Sequence, residues 1–281
     1  MVGEGSPMEP FQLQRGMGVP TFALVSWKRD FPELLAGMSA RDGESIEDPD
    51  RTNYALHTGA PAERVIQNRK RLLAQLGVPF SAWTCGEQVH GVNIHEVTAD
   101  QCGRGGKSME TAIFGTDGLF TRERGILLTS FYADCVPLFF YSPDAGIVGV
   151  AHAGWRGTVG GIGPRMIREL VRRGAVREEI RAAIAPSIGG CCYEVDEQVA
   201  TPVARLLPDP GPEILNPAGE GKWKLDLREA NRRLLLKEGL KEHHVLVTGW
   251  CTSCHPELFH SHRRDRGRTG RMVSFIGMGK G

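Results

Sequence analysis

The sequence has no apolar run approaching the roughly 20 residues that a transmembrane helix needs, so we expect no membrane span. Its first residues lack the basic start and apolar stretch of a secretory signal. It also lacks a basic excess, because 34 Lys and Arg against 33 Asp and Glu leave a net charge of +1. A sequence-independent nucleic-acid binder needs such an excess. We therefore expect neither a membrane nor a nucleic acid as partner.

Several cofactor motifs are absent as well. The glycine-rich stretch GWRGTVGGIG lacks the Gly-Lys-Ser/Thr ending of a Walker loop and the spaced glycines of a dinucleotide fingerprint. One His-x-His pair, His260-Ser261-His262, stands where a multicopper oxidase needs several, because each copper takes mostly imidazole ligands. These absences argue against a nucleotide-loop enzyme and against a multicopper site.

The seven cysteines are an odd number in a chain of this size, which favours a cytoplasmic protein with reduced thiols. Cys251-x-x-Cys254 and the adjacent pair Cys191-Cys192 resemble a zinc site only in part. A structural zinc site usually has two spaced pairs, and adjacent side chains rarely reach one ion together. We therefore predict reduced, partly buried thiols at these four positions.

The 281 residues suffice for one large domain or two small ones with a sizeable core. Residues 1–18 are expected to be a mobile start. Three apolar runs, Ile126–Tyr132, Val136–Tyr141 and Ile147–Ala151, are short and separated by turn residues, so they predict adjacent buried strands. Trp83–Val97 is predicted to be a strand pair or a bulged strand.

Two helices stand out in the pattern. Residues 61–77 have Pro61 at the start, Gly77 at the end and an apolar stripe between them. Residues 224–240 have Asp226 as an N-cap and leucines on one face.

Candidate site residues lie at the ends of the predicted strands. Cys135 and His152 end two of them, and His90 lies in an earlier segment, GEQVHGVNI. Two imidazoles and a thiolate suit Zn²⁺, and three protein ligands leave a fourth position open for water or substrate. Spacing does not decide whether the three converge, and a hydrogen-bonded core role stays open for each.

Other candidates come from loops and from one helix. Arg41, Asn53 and His57 belong to a long polar loop, the kind that often binds ligands, although solvated loop residues are the simpler interpretation. Arg69 falls on the apolar stripe of the first helix, where it must pair with an acid or bind an anion. Arg156 adjoins the glycine-rich turn at a helix start, where backbone N–H groups can receive phosphate.

Taken together, the chain resembles the YfiH/laccase-domain family, also labelled multicopper polyphenol oxidase or peptidoglycan editing factor. The matching stretches run in family order across residues 36–276: AGMSARDG, TNYALHTG, NRKRL, GEQVHG, TDGLFT, ADCVPLFFY, GVAHAGWRG, APSIGGCCYEV, LDLREANRRLL and CTSCHPELFHSHRRDRGRTGRM.

The resemblance implies a single α/β (α+β) domain over residues 19–281, with mixed β-sheets flanked by helices, as in deamidating toxins of the CNF type. It implies a pocket zinc held by His90, Cys135 and His152. It also implies phosphorolysis of adenosine, inosine, guanosine and methylthioadenosine, with deamination of adenosine to inosine. Asn53, His57 and Arg69 lie inside matching motifs.

One loop departs from the family pattern. Where the family has Arg/Lys-His-Gly-Gly, this chain has Arg41-Asp42-Gly43-Glu44. An acid beside a phosphate pocket would repel phosphate, so a loss of phosphorolysis is one expectation for this chain.

The main hypothesis is therefore a zinc-dependent purine nucleoside phosphorylase with adenosine deaminase activity, acting on purine nucleosides and phosphate. Arg41 and Arg156 are predicted to bind phosphate, because a guanidinium fork matches its oxygens. Gln88 is predicted to hydrogen-bond the base or a zinc-bound water. One alternative is a metal-free cysteine hydrolase with a Cys135/His152 dyad. Others are a non-enzymatic factor that binds a cell-wall precursor and a copper-loaded polyphenol oxidase, since the same donors accept copper.

Overall fold

The computed structural model describes residues 9–15 and 18–279, and within them two six-stranded sheets pack face to face. A smaller three-stranded sheet lies beside them. The strands are β1 Phe11–Gln14, β2 Thr21–Leu24, β3 Leu34–Ser39, β4 Trp83–Cys85, β5 Ile94–Glu96, β6 Gly118–Thr121, β7 Leu127–Tyr132, β8 Val136–Ser142, β9 Ile147–Ala153, β10 Arg181–Ile184, β11 Glu194–Asp196, β12 Leu215–Gly219, β13 Lys222–Leu225, β14 Val245–Val247 and β15 Met272–Met278.

Both large sheets mix parallel and antiparallel pairs. The first has the order β1-β2-β3-β15-β7-β4, with β4 parallel to β7 and the other pairs antiparallel. The second has the order β14-β10-β8-β9-β6-β5, with parallel pairs at its two edges. The third sheet, β11-β13-β12, is antiparallel.

The described residues form six α-helices, three of which cover outer faces of the two large sheets. The six are α1 Val25–Asp30, α2 Ala62–Leu76, α3 Trp155–Val159, α4 Ile162–Arg172, α5 Glu197–Leu206 and α6 Leu227–Lys237. Leu72 and Leu73 of α2 pack on the first sheet, and α4 and α6 pack on the second. No helix in the described ranges is both long enough and apolar enough to cross a membrane.

Side-chain alternation explains why both faces of the central strands are apolar. In β7, Leu128 and Tyr132 point into the core between the sheets, whereas Leu127 and Phe131 point toward α2. In β9, Val148 and Val150 face the same central core. A strand that is buried on both faces has no polar face, which accounts for the nearly continuous apolar runs in the sequence.

The three apolar runs are confirmed as strands β7, β8 and β9. β8 and β9 pair directly as an antiparallel hairpin, but β7 belongs to the facing sheet. The short turn between β7 and β8, residues 133–135, therefore carries the chain from one sheet to the other and places Cys135 at their common edge. Both predicted helices are present, with Gly77 in the left-handed conformation after α2 and the Asp226 carboxylate accepting backbone N–H bonds at the start of α6. The range predicted for the second, 224–240, is too long, because Lys224 and Leu225 belong to β13 and α6 ends at Lys237.

The prediction for Trp83–Val97 is wrong. β4 pairs with β7 in the first sheet and β5 pairs with β6 in the second, so the two strands do not pair with each other. The connection between them, which contains His90, is a loop that spans the two sheets. The apolar pattern does not reveal to which sheet a short strand belongs.

Part of the start that we expected to be mobile is a strand. β1 pairs with β2, and Phe11 is fully buried in the core between the sheets. Glu9 accepts hydrogen bonds from Thr248 and Gly249, which fixes this segment to the far end of the chain. Residues 1–8, 16 and 17 of the expected mobile segment lie outside the described residues.

Candidate metal centre and its pocket

A pocket of about 440 Å³ opens at the edge where β7 ends, β8 begins and β9 ends. Its size is within the usual range for small-molecule sites. The residues that line it are His57, Gln88, His90, Phe131, Tyr132, Ala133, Asp134, Cys135, His152, Ile188, Tyr193, His262, Arg263 and Arg271. Aromatic rings, a thiol, imidazoles and two guanidinium groups therefore share one cavity.

His90, Cys135 and His152 converge in this pocket. One ligand atom from each residue lies within 4.8 Å of the others, and the two imidazole rings are 4.7 Å apart between centroids. His152 is buried, Cys135 is partly buried and His90 is exposed toward the cavity. The three donors come from different segments, the β4–β5 loop, the β7–β8 turn and β9, so only the folded chain assembles them.

Asp117 holds this constellation together. Its carboxylate accepts a 2.9 Å hydrogen bond from Nδ1 of His152 and backbone N–H bonds from Val89, His90 and Gly91 at 2.8–3.1 Å. Burial opposes ionisation of Asp117, but the bond from His152 and those from the backbone lower its carboxyl pKa. Because Nδ1 of His152 faces Asp117, Nε2 is left free to face the cavity.

The backbone has two unusual features where the three candidate metal ligands meet. His90 has a φ of 59°, in the left-handed region that non-glycine residues rarely adopt. Such conformations persist where the surroundings fix them, and here the bonds to Asp117 do so. Gly154 allows a close approach, because a Cβ there would lie 3.1 Å from Cys135 Sγ and 3.4 Å from the His90 ring.

Cys135 and His152 stabilise each other's charged forms. Burial would raise the pKa of the Cys135 thiol, but the positive charge of His152 and hydrogen bonds from both histidines lower it to about 6. Burial would lower the pKa of His152, but the Cys135 thiolate and Asp117 raise it to about 9. A thiolate is the form that binds a metal.

The donor set fits a zinc ion. Zn–S and Zn–N bonds of about 2.3 and 2.0–2.1 Å put tetrahedral ligand atoms about 3.3–3.8 Å apart. The observed spacing, within 4.8 Å, needs only small side-chain movements to reach that geometry. The Asp117–His152 contact matches the carboxylate–histidine pairing that orients metal-bound imidazoles. The same set also suits copper, which generally binds such ligands more tightly than zinc.

Two further predicted site residues, His57 and Gln88, line the pocket. Burial and then the positive charges of Arg271 and Arg69 lower the pKa of His57, so its ring is neutral at pH 7. The Gln88 amide is engaged with β7, because it donates to the Phe131 carbonyl at 2.9 Å and accepts from the Phe131 N–H at 2.8 Å. Gln88 therefore shapes the pocket through the edge of β7, and the amide groups that we expected to meet a base or water are occupied.

Arg41 and Asn53 lie outside the pocket. The Arg41 guanidinium is buried against the carbonyls of Ser45 and Pro256. Asn53 is buried, and its amide oxygen accepts from the backbone N–H of Ala55 and of Arg271. Asn53 thus fixes the backbone of a residue that does line the pocket.

Arg69 is fully buried and is not among the residues that line the cavity. It donates to the carbonyls of Tyr54, Gly105 and Gly106 at 2.8–2.9 Å. Its guanidinium carbon lies 4.8 Å from the Trp83 ring centroid. Its partners are thus carbonyls and aromatic rings, where the sequence led us to expect an acid or an anion.

Arg156 is exposed on α3 and stacks on Trp155 at 4.5 Å. It is not among the pocket-lining residues, although its charge reaches Tyr193 at the rim. Asp42 caps the turn after Arg41, accepts from Ser45 and forms a 2.8 Å ion pair with Arg51. Asp42 does not line the pocket either, so the expected repulsion of phosphate has no structural basis there.

The sequence did not single out several residues of the site, namely Asp117, Asp134, Tyr193, Arg263 and Arg271, and it named His262 only as part of a His-x-His pair. The Arg263 guanidinium lies 5.0 Å from the Tyr193 ring centroid. Its backbone N–H donates to Asp134, whose carboxylate also accepts from Thr252. Asp117 lies in the quoted stretch TDGLFT, where an acid before an apolar strand was the available signal.

Comparison with known proteins finds relatives named as purine nucleoside phosphorylase and as adenosine deaminase. It is 45% identical over 249 residues to "Purine nucleoside phosphorylase YlmD" of Geobacillus stearothermophilus, covering 88% of this chain and 91% of the relative. It is 32% identical over 254 residues to "Adenosine deaminase RL5" from an unknown prokaryotic organism, covering 89% and 97%. The crystal structure of the Bacillus licheniformis hypothetical protein YfiH superimposes with a TM-score of 0.88 at 37% identity, covering 95% of this chain and 98% of that one.

The structural match confirms the predicted fold class, an α/β arrangement of mixed sheets flanked by helices. The family model described as multi-copper polyphenol oxidoreductase laccase matches residues 35–279, almost the whole described chain. Together with the relatives above, this match confirms the resemblance found in the sequence motifs, and the chain belongs to this laccase-like YfiH family.

Proposed function

We propose that this protein is a zinc-dependent purine nucleoside phosphorylase that also deaminates adenosine. The observation that carries the proposal is the convergence of His90, Cys135 and His152 in a 440 Å³ pocket with cationic and aromatic walls. Relatives named purine nucleoside phosphorylase and adenosine deaminase support both activities. The substrates would be adenosine, inosine, guanosine and methylthioadenosine, with inorganic phosphate as the second substrate.

The walls of the pocket suit a nucleoside. Phe131, Tyr132 and Tyr193 offer aromatic surface against which a purine base can pack. Burial raises the pKa of the Tyr193 hydroxyl to about 12, so it stays protonated and able to donate a hydrogen bond. The neutral ring of His57 can accept a proton or a hydrogen bond at the same wall.

Phosphate binding is best supported at Arg263 and Arg271. Both guanidinium groups line the pocket, and each has one NH group bound to backbone carbonyls, which leaves further donors for an anion. A guanidinium fork matches phosphate oxygens, and positive charge is needed to hold phosphate against the sugar carbon. Arg41 and Arg156, our candidates from the sequence, are less well placed because neither lines the cavity.

When bound, zinc would supply Lewis-acid activation of water or of a substrate atom. The protein would supply orientation and proton control. Asp117 would keep the proton of His152 on Nδ1, and the bonds from residues 89–91 to Asp117 would fix the direction of His90. The closed end of the pocket, formed by buried His152 and Tyr132, would exclude water from that side of the substrate.

The test is metal analysis together with product analysis after incubation with adenosine, with and without phosphate. We expect zinc at the pocket, adenine and ribose 1-phosphate only when phosphate is present, and inosine in either case. Cys135→Ala should lose both activities and the pocket zinc, whereas Cys102→Ser, an exposed cysteine elsewhere, should keep them. Full activity and full zinc content in Cys135→Ala would refute the proposal.

A second candidate, a metal-free cysteine hydrolase, is favoured by one specific arrangement. The Cys135 thiol is hydrogen-bonded to the His152 imidazole, and that imidazole is hydrogen-bonded to the Asp117 carboxylate. That order is the one that activates a cysteine nucleophile. Activity that survives complete removal of metal and is lost on stoichiometric alkylation of Cys135 would favour this candidate over the first.

A further inference from the structure

Four cysteines outside the pocket come together at one edge of the second sheet. Cys191 and Cys192 follow β10, and Cys251 and Cys254 follow β14, the strand that pairs with β10 in parallel. Parallel neighbours end at the same edge, so the two loops meet there. We expected that the adjacent cysteines would not reach one ion together, but all four Sγ atoms lie within 4.8 Å of one another.

The spacing of the sulfur atoms is that of a tetrathiolate metal site. Cys254 Sγ lies 3.6 Å from Cys191 Sγ and 3.4 Å from Cys192 Sγ. With Zn–S bonds of about 2.3 Å, tetrahedral geometry puts the sulfurs about 3.8 Å apart. Cys251 Sγ also accepts the backbone N–H of Gly189 at 3.3 Å, as thiolates in such sites commonly do.

The protein framework around the four sulfurs is held independently of any ligand. Arg228 of α6 donates to the carbonyls of Thr248 and Trp250, which fixes the second loop. Gly189 passes so close that a Cβ there would lie 2.5 Å from the Arg228 guanidinium. Gly190 donates its N–H to Asp226, the N-cap of α6. Both loops are therefore anchored on the start of α6.

We propose that Cys191, Cys192, Cys251 and Cys254 form a second, structural metal site whose occupant is Zn²⁺. Four thiolates in tetrahedral spacing select zinc or iron among the common metals. Since all four positions are protein ligands, no position is open for substrate, and the site is structural. Exposed Cys191 and Cys254 place it at the surface, where the metal can enter.

The second site would join the two segments that carry one wall of the pocket. Ile188 and Tyr193 flank the first cysteine pair, and His262 and Arg263 follow the second. Arg263 already bridges the segments, donating to the Glu194 carbonyl at 2.7 Å. Loss of the metal is therefore expected to loosen this wall while leaving the donors of the pocket site in place.

The experiment uses Co²⁺ as a spectroscopic probe in the full chain carrying Cys135→Ala, which removes the only thiolate of the pocket site. The reduced, metal-free protein is titrated with Co²⁺ and then with Zn²⁺. We expect one Co²⁺ per chain with the intense sulfur-to-cobalt charge-transfer absorption of a tetrathiolate, displaced by one Zn²⁺. Adding Cys254→Ser should reduce this absorption and weaken Co²⁺ binding at least tenfold. Adding Cys102→Ser should change neither.

Absence of a charge-transfer band in the Cys135→Ala protein would overturn the proposal, and so would a band that Cys254→Ser leaves unchanged. A disulfide between Cys254 and Cys191 or Cys192 in protein isolated with reductant would also overturn it. If Cys254→Ser does not fold, as judged by circular dichroism, Cys191→Ser serves as the second test, because that residue is also exposed. The readout needs no catalytic activity, so it is independent of the nucleoside proposal.

Discussion

At the residue scale, one carboxylate does the most to arrange the candidate metal centre. Asp117 is buried, and it bonds both to the ring of His152 and to the backbone that carries His90. Two of the three donors therefore depend on the same group. A change at Asp117 should affect the geometry of both histidines, even though Asp117 is not a ligand itself.

We expect Asp117→Asn to weaken zinc binding by about 10- to 100-fold, the usual cost of removing a hydrogen-bond partner of a metal ligand. The amide has one acceptor oxygen in place of two, so it cannot accept from the His152 ring and from all three backbone N–H groups of residues 89–91. Zinc affinity is measured by competition with a chromophoric chelator. Asp196→Asn, at an exposed N-cap whose side chain makes no capping bond, is the matched control. Equal affinity in the two variants would contradict this role for Asp117.

Residue types indicated the candidate metal ligands, but not the residues that position them through hydrogen bonds. His90, Cys135 and His152 were recognisable because imidazole and thiol groups are rare next to apolar strands and lie within matching motifs. Asp117 and Gln88 act through hydrogen bonds to residues 26–43 positions away. No local pattern encodes such a distant contact, so whether Gln88 faces the substrate or the edge of β7 could not be decided before the fold was known.

At the scale of elements, α2 carries a buried charged residue, Arg69, on the apolar face that packs on the first sheet. Arg69 donates to the carbonyls of residues 54, 105 and 106. Stacking on Trp83 and Phe131 adds a cation–π contribution. The helix is thereby fixed to the loop that contains Tyr54 and to the loop that contains Gly105 and Gly106.

Arg69→Lys should lower the free energy of unfolding by about 2–4 kcal/mol, because lysine cannot reach all three carbonyls and leaves buried acceptors unpaired. In the proposed phosphorolysis, the KM for phosphate of the folded variant should stay the same. Urea unfolding and steady-state kinetics measure the two quantities. Arg71→Lys, exposed on the same helix, is the control. A raised KM for phosphate with unchanged stability would instead support the other interpretation of the sequence, in which Arg69 binds an anion.

The elements were predictable where local signals are strong. Pro61 and Gly77 bound α2, Asp226 caps α6, and turn residues separate β8 from β9. β4 and β5 were misjudged because each has only three residues, and their partners, β7 and β6, come later in the chain. Sheet membership is a long-range property, and a three-residue strand carries almost no information about it.

At the scale of the whole molecule, distant segments are joined by buried polar contacts. His260, one half of the His-x-His pair, is buried between Thr52 and Thr269, with ring nitrogens 3.1 and 3.0 Å from their hydroxyls. It therefore connects the loop after β3 to the C-terminal segment. Burial, followed by the positive charge of Arg41, lowers the pKa of His260 to about 3. The ring is thus neutral in the folded state at pH 7 and well into the acidic range.

This neutral histidine makes stability depend on pH with a definite sign. In the unfolded chain a histidine titrates near 6.5, so between about 6.5 and 3 the unfolded state binds more protons than the folded state. The contribution of His260 is fully present above pH 6.5 and is lost as the pH falls, by about 1 kcal/mol per pH unit.

His260→Gln keeps a polar amide beside the threonines but cannot titrate. We expect the variant to be less stable at pH 7.5, because the ring packing is lost, yet to lose stability less steeply between pH 6.5 and 4.5. Urea unfolding at several pH values measures both, with exposed His243→Gln as control. Parallel pH profiles for the wild-type protein and His260→Gln would show that acid destabilisation originates elsewhere in the molecule.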